Sequence, residues 1–336
     1  MFRLMTLSIL LCVSSACQTH PLESNPHYAR YSGKSGPGNG KHIILLAGDQ
    51  EYRSEEVMPM LAKILSQHHG FDCTVLFAIN DKGEVDPAVM NNIAGIENLN
   101  KADLLIVYSR FLELPDDQLT HFFNYLDSGK PVIGIRTANH GFTKFHITEN
   151  GKKMPYSVDG QNKRFGHHVL GGTFAGHYGG WHREATRGII VKGKENHPIV
   201  KGVKDIFGPT DVYSTRPQEL YGDSEALVLG QPLTGLNPDD KPNSKKPPLP
   251  IAWTKTWTGR TGKTARAFQV TMGSAEDFLS EGLRRLVINA SYWCLKMESV
   301  ITEKSNVDIV GTYKPSKSDV KKHIKGRTPA VYERLD

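Results

Sequence analysis

The sequence contains little cysteine and has no long hydrophobic run after its N-terminus. Of the 336 residues only four are cysteine, and two of these, Cys12 and Cys17, lie near the N-terminus. Cys73 and Cys294 each lie in an apolar pattern, which favours buried free thiols over a disulfide. No internal stretch approaches the roughly 18 apolar residues that a membrane-spanning helix needs. The sequence therefore excludes a disulfide-stapled mini-protein and a multi-span membrane protein.

The first residues have the composition of an export signal. In "MFRLMTLSILLCVSSAC" one basic residue is followed by an apolar run and then by small residues. Ser14 to Ala16 are small enough for ordinary signal peptidase. The same residues before Cys17 resemble a lipobox, which we favour although Ser14 stands where Leu is usual. We predict a signal peptide over residues 1–16 and an exported protein, either periplasmic or anchored to the outer membrane through a lipidated Cys17.

The positive charge is concentrated near the C-terminus. Residues 304–336 hold eight Lys or Arg against four Asp or Glu, out of a net charge of +6 for the whole chain. The rest is close to neutral, which argues against a nucleic-acid groove and predicts no nucleic-acid partner. Residues 17–40, rich in Ser, Gly, Pro and Asn, are interpreted as a flexible tether. Residues 41–300 are predicted to form a single domain, and residues 301–336 a solvated basic tail.

Short apolar runs alternate with helical patterns in the first half of the chain. The runs predict four buried strands: "HIILLAG" (42–48), "CTVLFAI" (73–79), "ADLLIVYS" (102–109) and "PVIGIRT" (131–137). Apolar residues at helical spacing follow Ser54 and Pro115. Fully apolar strands that alternate with helices are typical of a parallel sheet covered on both faces. The predicted fold class is α/β, with a doubly wound, mostly parallel sheet.

Polar residues follow the first, third and fourth of these strands. Ligands of such sheets bind beyond the carboxyl ends of the strands, so these residues are expected to surround one crevice. The expected crevice residues are Asp49 and Glu51, Ser109 and Arg110, and Arg136 to His140. The predicted substrate-binding residues among and beside them are Glu51, Tyr52, Arg110 and Asn139.

Arg136, in "GIRTANHGF", occupies the strand-to-helix elbow where many hydrolases and amidotransferases carry a Ser or Cys nucleophile. Its guanidinium stays protonated, so it is neither a nucleophile nor a general base. It can instead stabilise negative charge that develops on an oxygen atom. The alternative, weighed equally, is an internal ion pair with Glu51 or Glu184. His140 can face the same crevice as an acid or base.

The segment "HHVLGGTFAGHYGGWHRE" (167–184) is rich in histidine and glycine. His177 and Glu184 are the predicted acid–base residues of this segment, and Trp181 and His182 are predicted to bind substrate. At least two of its four histidines are expected to make only structural hydrogen bonds. Because the spacing matches no standard zinc pattern, we predict no metal and no cofactor.

Several stretches in a shared order resemble the trehalose-utilisation (ThuA-like) family over about residues 42–297. The matching pieces are "LLAGDQEYRSEEVMPMLAKIL", "GKPVIGIRTANHGF", "FGHHVLGGTFAGHYG", "ENHPIVKGVKDIFGPTDVYS", "IAWTKTWTG" and "TMGSAEDFLSEGLRRLVINASYWCL". The resemblance implies a class I glutamine amidotransferase-like (flavodoxin-like) fold. The chain departs from both patterns at the elbow, where amidotransferases carry Cys and family members often carry His. Because the elbow lacks the cysteine thiol, glutamine hydrolysis is excluded.

The resemblance also implies a role in sugar catabolism, beside dehydrogenases that make keto-sugars. A small-molecule keto-glycoside is the implied substrate. A base such as His177 or Glu184 would remove the acidic proton next to the keto group, with Arg136 stabilising the enolate. The alternatives left open are a non-catalytic carbohydrate-binding protein and a structural surface protein attached through its tail.

Overall fold

The computed structural model describes residues 25–156, 165–216 and 220–335, so the predicted signal peptide and Cys17 lie outside the described residues. The strands are β1 (Tyr28–Tyr31), β2 (His42–Gly48), β3 (Asp72–Phe77), β4 (Leu104–Ser109), β5 (Val132–Ile135), β6 (His146–Glu149), β7 (Lys152–Pro155), β8 (Thr173–Tyr178), β9 (Thr186–Ile190), β10 (Ile206–Gly208), β11 (Val212–Arg216), β12 (Glu225–Pro232), β13 (Leu249–Thr258) and β14 (Thr264–Val270). The α-helices are α1 (Ser54–His69), α2 (Asp116–Asp127), α3 (Phe165–His168), α4 (Glu281–Cys294) and α5 (Pro329–Tyr332). No helix in these ranges has the length and apolar character needed to cross a membrane.

The described residues form a mixed α/β fold around a ten-stranded sheet. Its centre is parallel, with β3, β2, β4, β5 and β14 as neighbours in that order. Antiparallel strands extend it on both sides: β1 pairs with β3, and β13, β12, β9 and β10 continue from β14. The predicted α/β class and its parallel centre are confirmed, whereas the specific amidotransferase-like topology stays a prediction.

Both faces of the sheet are buried, which explains the uninterrupted apolar strands. Alternate residues of β2 point to opposite faces, so Leu45 packs with α1 and α4 while Ile44 packs with α2. Leu61 of α1 and Leu119 of α2 are fully buried on their respective sides. Burying each such side chain contributes about 1.5–3 kcal/mol. The helices thereby fix the carboxyl ends of β2, β4 and β5 along one edge.

The segment predicted to be a flexible tether is ordered where the structure describes it. Residues Tyr28–Tyr31 form β1, which pairs with β3 at one edge of the sheet. Tyr28 and Tyr31 are buried, and the Tyr31 hydroxyl donates to the backbone oxygen of Tyr332 at 2.5 Å. The tether prediction is therefore wrong for residues 28–31, because two aromatic side chains anchor a strand too short for composition to reveal.

Residues 301–335, here called the C-terminal strap, also pack against the fold. Val307 and Tyr332 are buried, and the Tyr313 hydroxyl donates to the backbone oxygen of Ala275 at 2.9 Å. The strap backbone donates to the turn after β2: Asp319 N to Glu51 O at 2.9 Å, and Lys321 N to the preceding carbonyl at 2.8 Å. The prediction of a solvated tail is therefore wrong for its backbone, although most of its lysines are exposed.

Candidate functional site

Arg136 lies at the elbow after β5 in a strained, buried position. Its φ is 47°, in the left-handed region that a non-glycine residue adopts only at an energetic cost. The guanidinium is fully buried. It donates to Asp211 Oδ1 at 3.1 Å, to the backbone oxygen of Asp211 at 2.5 Å and to that of Thr271 at 3.3 Å. It also lies over the rings of Tyr52 and Tyr213, at 4.0 and 4.7 Å from their centroids.

This burial corrects the prediction that Arg136 contacts the substrate. The guanidinium forms an internal ion pair, which was the alternative prediction for Arg136. Its partner is Asp211 and not Glu51 or Glu184. Tyr52, predicted to bind substrate, is fully buried beneath the same guanidinium. Burial raises the pKa of Tyr52 to about 12, so the phenol stays neutral and acts in packing.

Asp211 connects Arg136 to His177. Its carboxylate is fully buried, and Oδ2 lies 2.6 Å from Nδ1 of His177. The His177 side chain is 43% exposed, so its other nitrogen can reach solvent. A carboxylate that accepts the Nδ1 hydrogen fixes the ring orientation and leaves the lone pair on Nε2. His177 is therefore oriented as a group that accepts a proton from a bound molecule.

The glycine-rich segment makes this contact possible. His177 on β8 is paired with Tyr213 on β11, which places Asp211 just beyond the end of the ladder. Gly179 has φ 117°, and a Cβ there would lie 2.9 Å from Cβ of Asp211. The backbone could not approach so closely with a larger residue. Gly179 thus serves the packing of the buried carboxylate.

His140 and His177 contact the same two aromatic side chains. The centroid of its ring is 4.6 Å from that of Phe174 and 5.4 Å from that of Tyr213. The ring of His177 contacts the same two side chains, at 5.7 and 5.5 Å. The two predicted histidines are therefore brought together around Phe174 and Tyr213.

The environment keeps His140 neutral. Burial, and then the positive charges of Arg110 and Arg136, lower the pKa of His140 to about 3. Its Nδ1 lies 2.7 Å from Oδ1 of Asn139, which is itself buried. A neutral ring that donates its Nδ1 hydrogen there presents Nε2 as an acceptor. His140 is thus suited to accept a hydrogen bond from a hydroxyl group.

Glu51 and Arg110 form an ion pair near His140. Arg110 Nη2 lies 2.8 Å from Glu51 Oε2, and the two side chains are 21% and 7% exposed. Burial raises the pKa of Glu51, while the charge of Arg110 opposes this shift. Arg110, unlike Arg136, keeps part of its side chain exposed to solvent. Of the two arginines predicted to lie in the site, Arg110 and Arg136, Arg110 is the one that a ligand can reach.

Three predicted residues lie apart from the histidine pair. Glu184 accepts a hydrogen bond from Asn243 at 2.6 Å and pairs with Lys246, so its carboxylate is already occupied. Trp181 and His182 are exposed on the turn between β8 and β9, with ring centroids 4.1 Å apart. No contact among the described residues joins these two rings to His140 or His177. Glu184 is therefore a poor candidate for the base.

No group of three or more His, Cys, Asp or Glu within residues 25–156, 165–216 and 220–335 is arranged to hold a metal ion. The absence of a metal requirement remains a prediction, which elemental analysis of protein purified without added metal would test. The residues that the sequence argument missed are Asp211, Tyr213 and Phe174. Asp211 and Tyr213 lie in "GPTDVYS", a stretch that contributed only to the family resemblance.

Comparison with known proteins gives one family. The profile of the family described as ThuA, trehalose utilisation, matches residues 43–294, which include His140, His177 and Asp211. A ThuA-like protein from Bacteroides uniformis ATCC 8492 is 18% identical, with 78% of this chain and 93% of that chain covered and a TM-score of 0.45. One from Parabacteroides merdae ATCC 43184 is 15% identical, with coverages of 83% and 97% and a TM-score of 0.45. No curated protein matches the sequence significantly.

Proposed function

The chain belongs to the trehalose utilisation (ThuA) family, and from this membership we propose that it converts a keto-glycoside by proton transfer through His177. The observation that carries the proposal is the 2.6 Å contact between His177 Nδ1 and the buried carboxylate of Asp211. A base within reach of solvent, oriented by a buried third group, is the arrangement that general acid–base catalysis requires.

The proposed reaction is an elimination. His177 Nε2 takes the proton from the carbon between the keto group and the glycosidic carbon, and the electron pair forms an enolate. The enolate re-forms the keto group and a carbon–carbon double bond as the glycosidic C–O bond breaks. The departing oxygen takes a proton from the imidazolium or from water, which leaves an unsaturated keto-sugar and an alcohol. The step needs no oxidant and no reductant.

The surroundings of His177 suit a sugar. The partly exposed ring of Phe174 provides an apolar face, the buried ring of Tyr213 supports it, and His140 presents an acceptor for a hydroxyl group. Arg110 replaces Arg136 as the cation proposed to stabilise the enolate, because part of its side chain is exposed. Asn139 holds the His140 ring, so it acts in positioning and not in direct contact.

Export is part of the same proposal. The protein is proposed to act on the keto-glycoside in the periplasm, either free or anchored to the membrane through Cys17. Intact mass of the protein from its native membrane fraction tests this: loss of residues 1–16, with the added mass of lipid, is expected. A full-length cytoplasmic product would rule it out.

The catalytic proposal is tested in D2O with two sugars, trehalose and trehalose oxidised to a ketone at the ring carbon two positions from the glycosidic carbon of one unit. Nuclear magnetic resonance should show deuterium entering beside the keto group, followed by release of the leaving sugar, with the oxidised sugar alone. His177→Asn should slow both processes about 100-fold or more. The matched control is His182→Asn, which changes an exposed histidine outside the histidine pair and should keep the wild-type rate.

A second candidate function is sugar binding without catalysis, and the exposed ring of Trp181 favours it. In that case both sugars would bind with no deuterium exchange, and Trp181→Ala would weaken binding. Exchange that persists in His177→Asn would contradict the assignment of the base.

A further inference from the structure

The C-terminal strap carries an unusual concentration of exposed apolar side chains. Val320, Ile324, Val331 and Leu335 are each 40–45% exposed. They are four of the eleven strongly exposed large apolar side chains among the described residues. Single exposed apolar residues are normal, whereas these four lie within residues 320–335, and larger exposed apolar patches mark interaction sites.

Lysines are interleaved with the first two of these apolar residues along the chain. Lys317, Lys321, Lys322 and Lys325 are all exposed, and none of them forms an ion pair with a described residue. The nearest acidic groups offset little of this charge. Within residues 317–325 Asp319 is the single acidic residue, and Asp86 lies 3.4 Å from His323. This part of the strap is therefore both apolar and strongly cationic.

A groove lies between the strap and α1, with a volume of about 380 Å³. Pro59 and Met60 of α1 and Val310, Ile324 and Val331 of the strap supply its apolar lining. Lys314, Arg327 and Arg334 supply cations to the same groove. Glu56 also lines it, but its carboxylate accepts a hydrogen bond from Ser316 N at 2.8 Å. The groove therefore combines cationic side chains with an apolar lining that can contact a few methylene groups of a bound molecule.

The N-terminal strand meets the fold on this side. The Tyr31 hydroxyl donates to Tyr332 O at 2.5 Å, and Arg30 N donates to the Glu333 carboxylate at 3.0 Å. Phe77, at the end of β3, contacts the ring of Tyr332 with centroids 5.1 Å apart. The chain that leads from the predicted lipid attachment at Cys17 therefore reaches the fold beside the strap.

We infer that the C-terminal strap docks on an anionic phospholipid membrane, with the groove between α1 and the strap receiving an acidic head group. Basic residues interleaved with exposed aliphatic residues are the pattern of a segment that lies in the membrane interface. The lysines supply attraction that depends on salt, and the aliphatic side chains supply burial. This surface acts independently of lipidation and of the histidine pair.

The test uses the full chain with Cys17→Ser, so that no acyl chain is attached. Binding is measured by flotation with vesicles of phosphatidylglycerol and phosphatidylethanolamine, and with phosphatidylcholine alone. The variant Lys321→Gln/Lys322→Gln/Lys325→Gln should bind anionic vesicles at least about tenfold more weakly. The matched control, Lys192→Gln/Lys241→Gln/Lys245→Gln, removes three exposed lysines elsewhere and should bind like the parent. Ile324→Ser should weaken binding severalfold with the charge unchanged.

Preference for anionic vesicles that falls with added salt, together with loss in the strap triple variant alone, supports the inference. Equal binding to phosphatidylcholine, or equal loss in both triple variants, would overturn it. Tight binding to heparin without vesicle binding would also overturn it, because the surface would then bind a soluble polyanion. Unchanged thermal melting of each variant shows that a loss of binding does not come from unfolding.

Discussion

Asp211 holds His177 through a 2.6 Å hydrogen bond to Nδ1, while Asp211 itself is fully buried. The carboxylate can therefore influence a bound molecule only through the histidine. A buried carboxylate needs a cation, and Arg136 provides it at 3.1 Å. Arg136 thus supports the site by compensating the buried negative charge of Asp211.

Asp211→Asn should reduce kcat for deuterium exchange about 10–100-fold or more, with little change in KM. The amide no longer enforces the tautomer that leaves the lone pair on Nε2 of His177. Kinetics on the oxidised sugar at fixed pH measure the effect. If Asp211 acts through His177, the double variant with His177→Asn should be no slower than His177→Asn alone. Additive losses would mean that the two residues act separately.

Arg136→Met should destabilise the protein by about 3–5 kcal/mol, because it leaves Asp211 charged, buried and without its cation. Asp277, whose carboxylate lies 4.0 Å from the guanidinium, loses the same neighbour. Urea unfolding followed by circular dichroism measures the change. His177→Asn, at a partly exposed position, should stay within about 1 kcal/mol of the wild type. Near-equal stability of Arg136→Met and the wild type would argue against a structural role for the arginine.

The strands that lead to the site were predictable because they are fully apolar and are buried on both faces. β2 was predicted at its observed bounds, and β3, β4 and β5 within two residues of theirs. At the start of α1 the N-cap position is occupied by Arg53, with φ 64°, and the Ser54 hydroxyl accepts a hydrogen bond from Asp49 N. A left-handed residue other than glycine has no composition signal, so this cap could not be read from the sequence.

The partners of the site residues were not predictable. Asp211 lies 75 residues from Arg136 and 34 from His177, and one aspartate in "GPTDVYS" has no periodic pattern. Glu184 was expected in the crevice, but Lys246, 62 residues away, binds its carboxylate. Local sequence indicates which residue types follow a strand. Which of them pair is decided by tertiary contacts such as the pairing of β8 with β11.

Glu55→Gln should remove a pH dependence of stability between about pH 5 and pH 8. Glu55 is fully buried, neither carboxyl oxygen has a partner among the described residues, and burial raises its pKa to about 8. In the unfolded chain it ionises near its ordinary pKa, so unfolding releases a proton and stability falls as pH rises. From pH 5 to 7.5 the wild type should lose about 2–3 kcal/mol relative to the variant.

The Glu55 experiment compares urea midpoints of both proteins at the two pH values. Glu56→Gln, at the next position of the same helix turn, is the matched control and should keep the wild-type pH slope. Parallel slopes for the wild type and Glu55→Gln would mean that Glu55 is ionised in the folded protein.

His140→Gln should reduce the acid sensitivity of the fold. Burial, and then Arg110 and Arg136, lower the pKa of His140 to about 3, whereas the unfolded residue titrates near its ordinary value of 6.5. The unfolded chain therefore binds a proton that the folded protein does not, and stability is lost as pH falls below about 6.5. Between pH 7 and pH 5 the wild type should lose about 2 kcal/mol more than the variant, measured by urea unfolding.

The same neutrality determines how His140 acts in the proposed reaction. A ring that stays unprotonated from pH 4 to 8 contributes a hydrogen-bond acceptor but no ionisation in that range. His140→Gln should therefore raise KM for the oxidised sugar about tenfold, the loss of one hydrogen bond, and leave the shape of the pH–rate profile unchanged. Asn139→Ala, which removes the partner of Nδ1, should shift KM in the same direction because the ring loses its orientation. A pH–rate limb that disappears in His140→Gln would instead make His140 the titrating group and displace His177 from the proposed role.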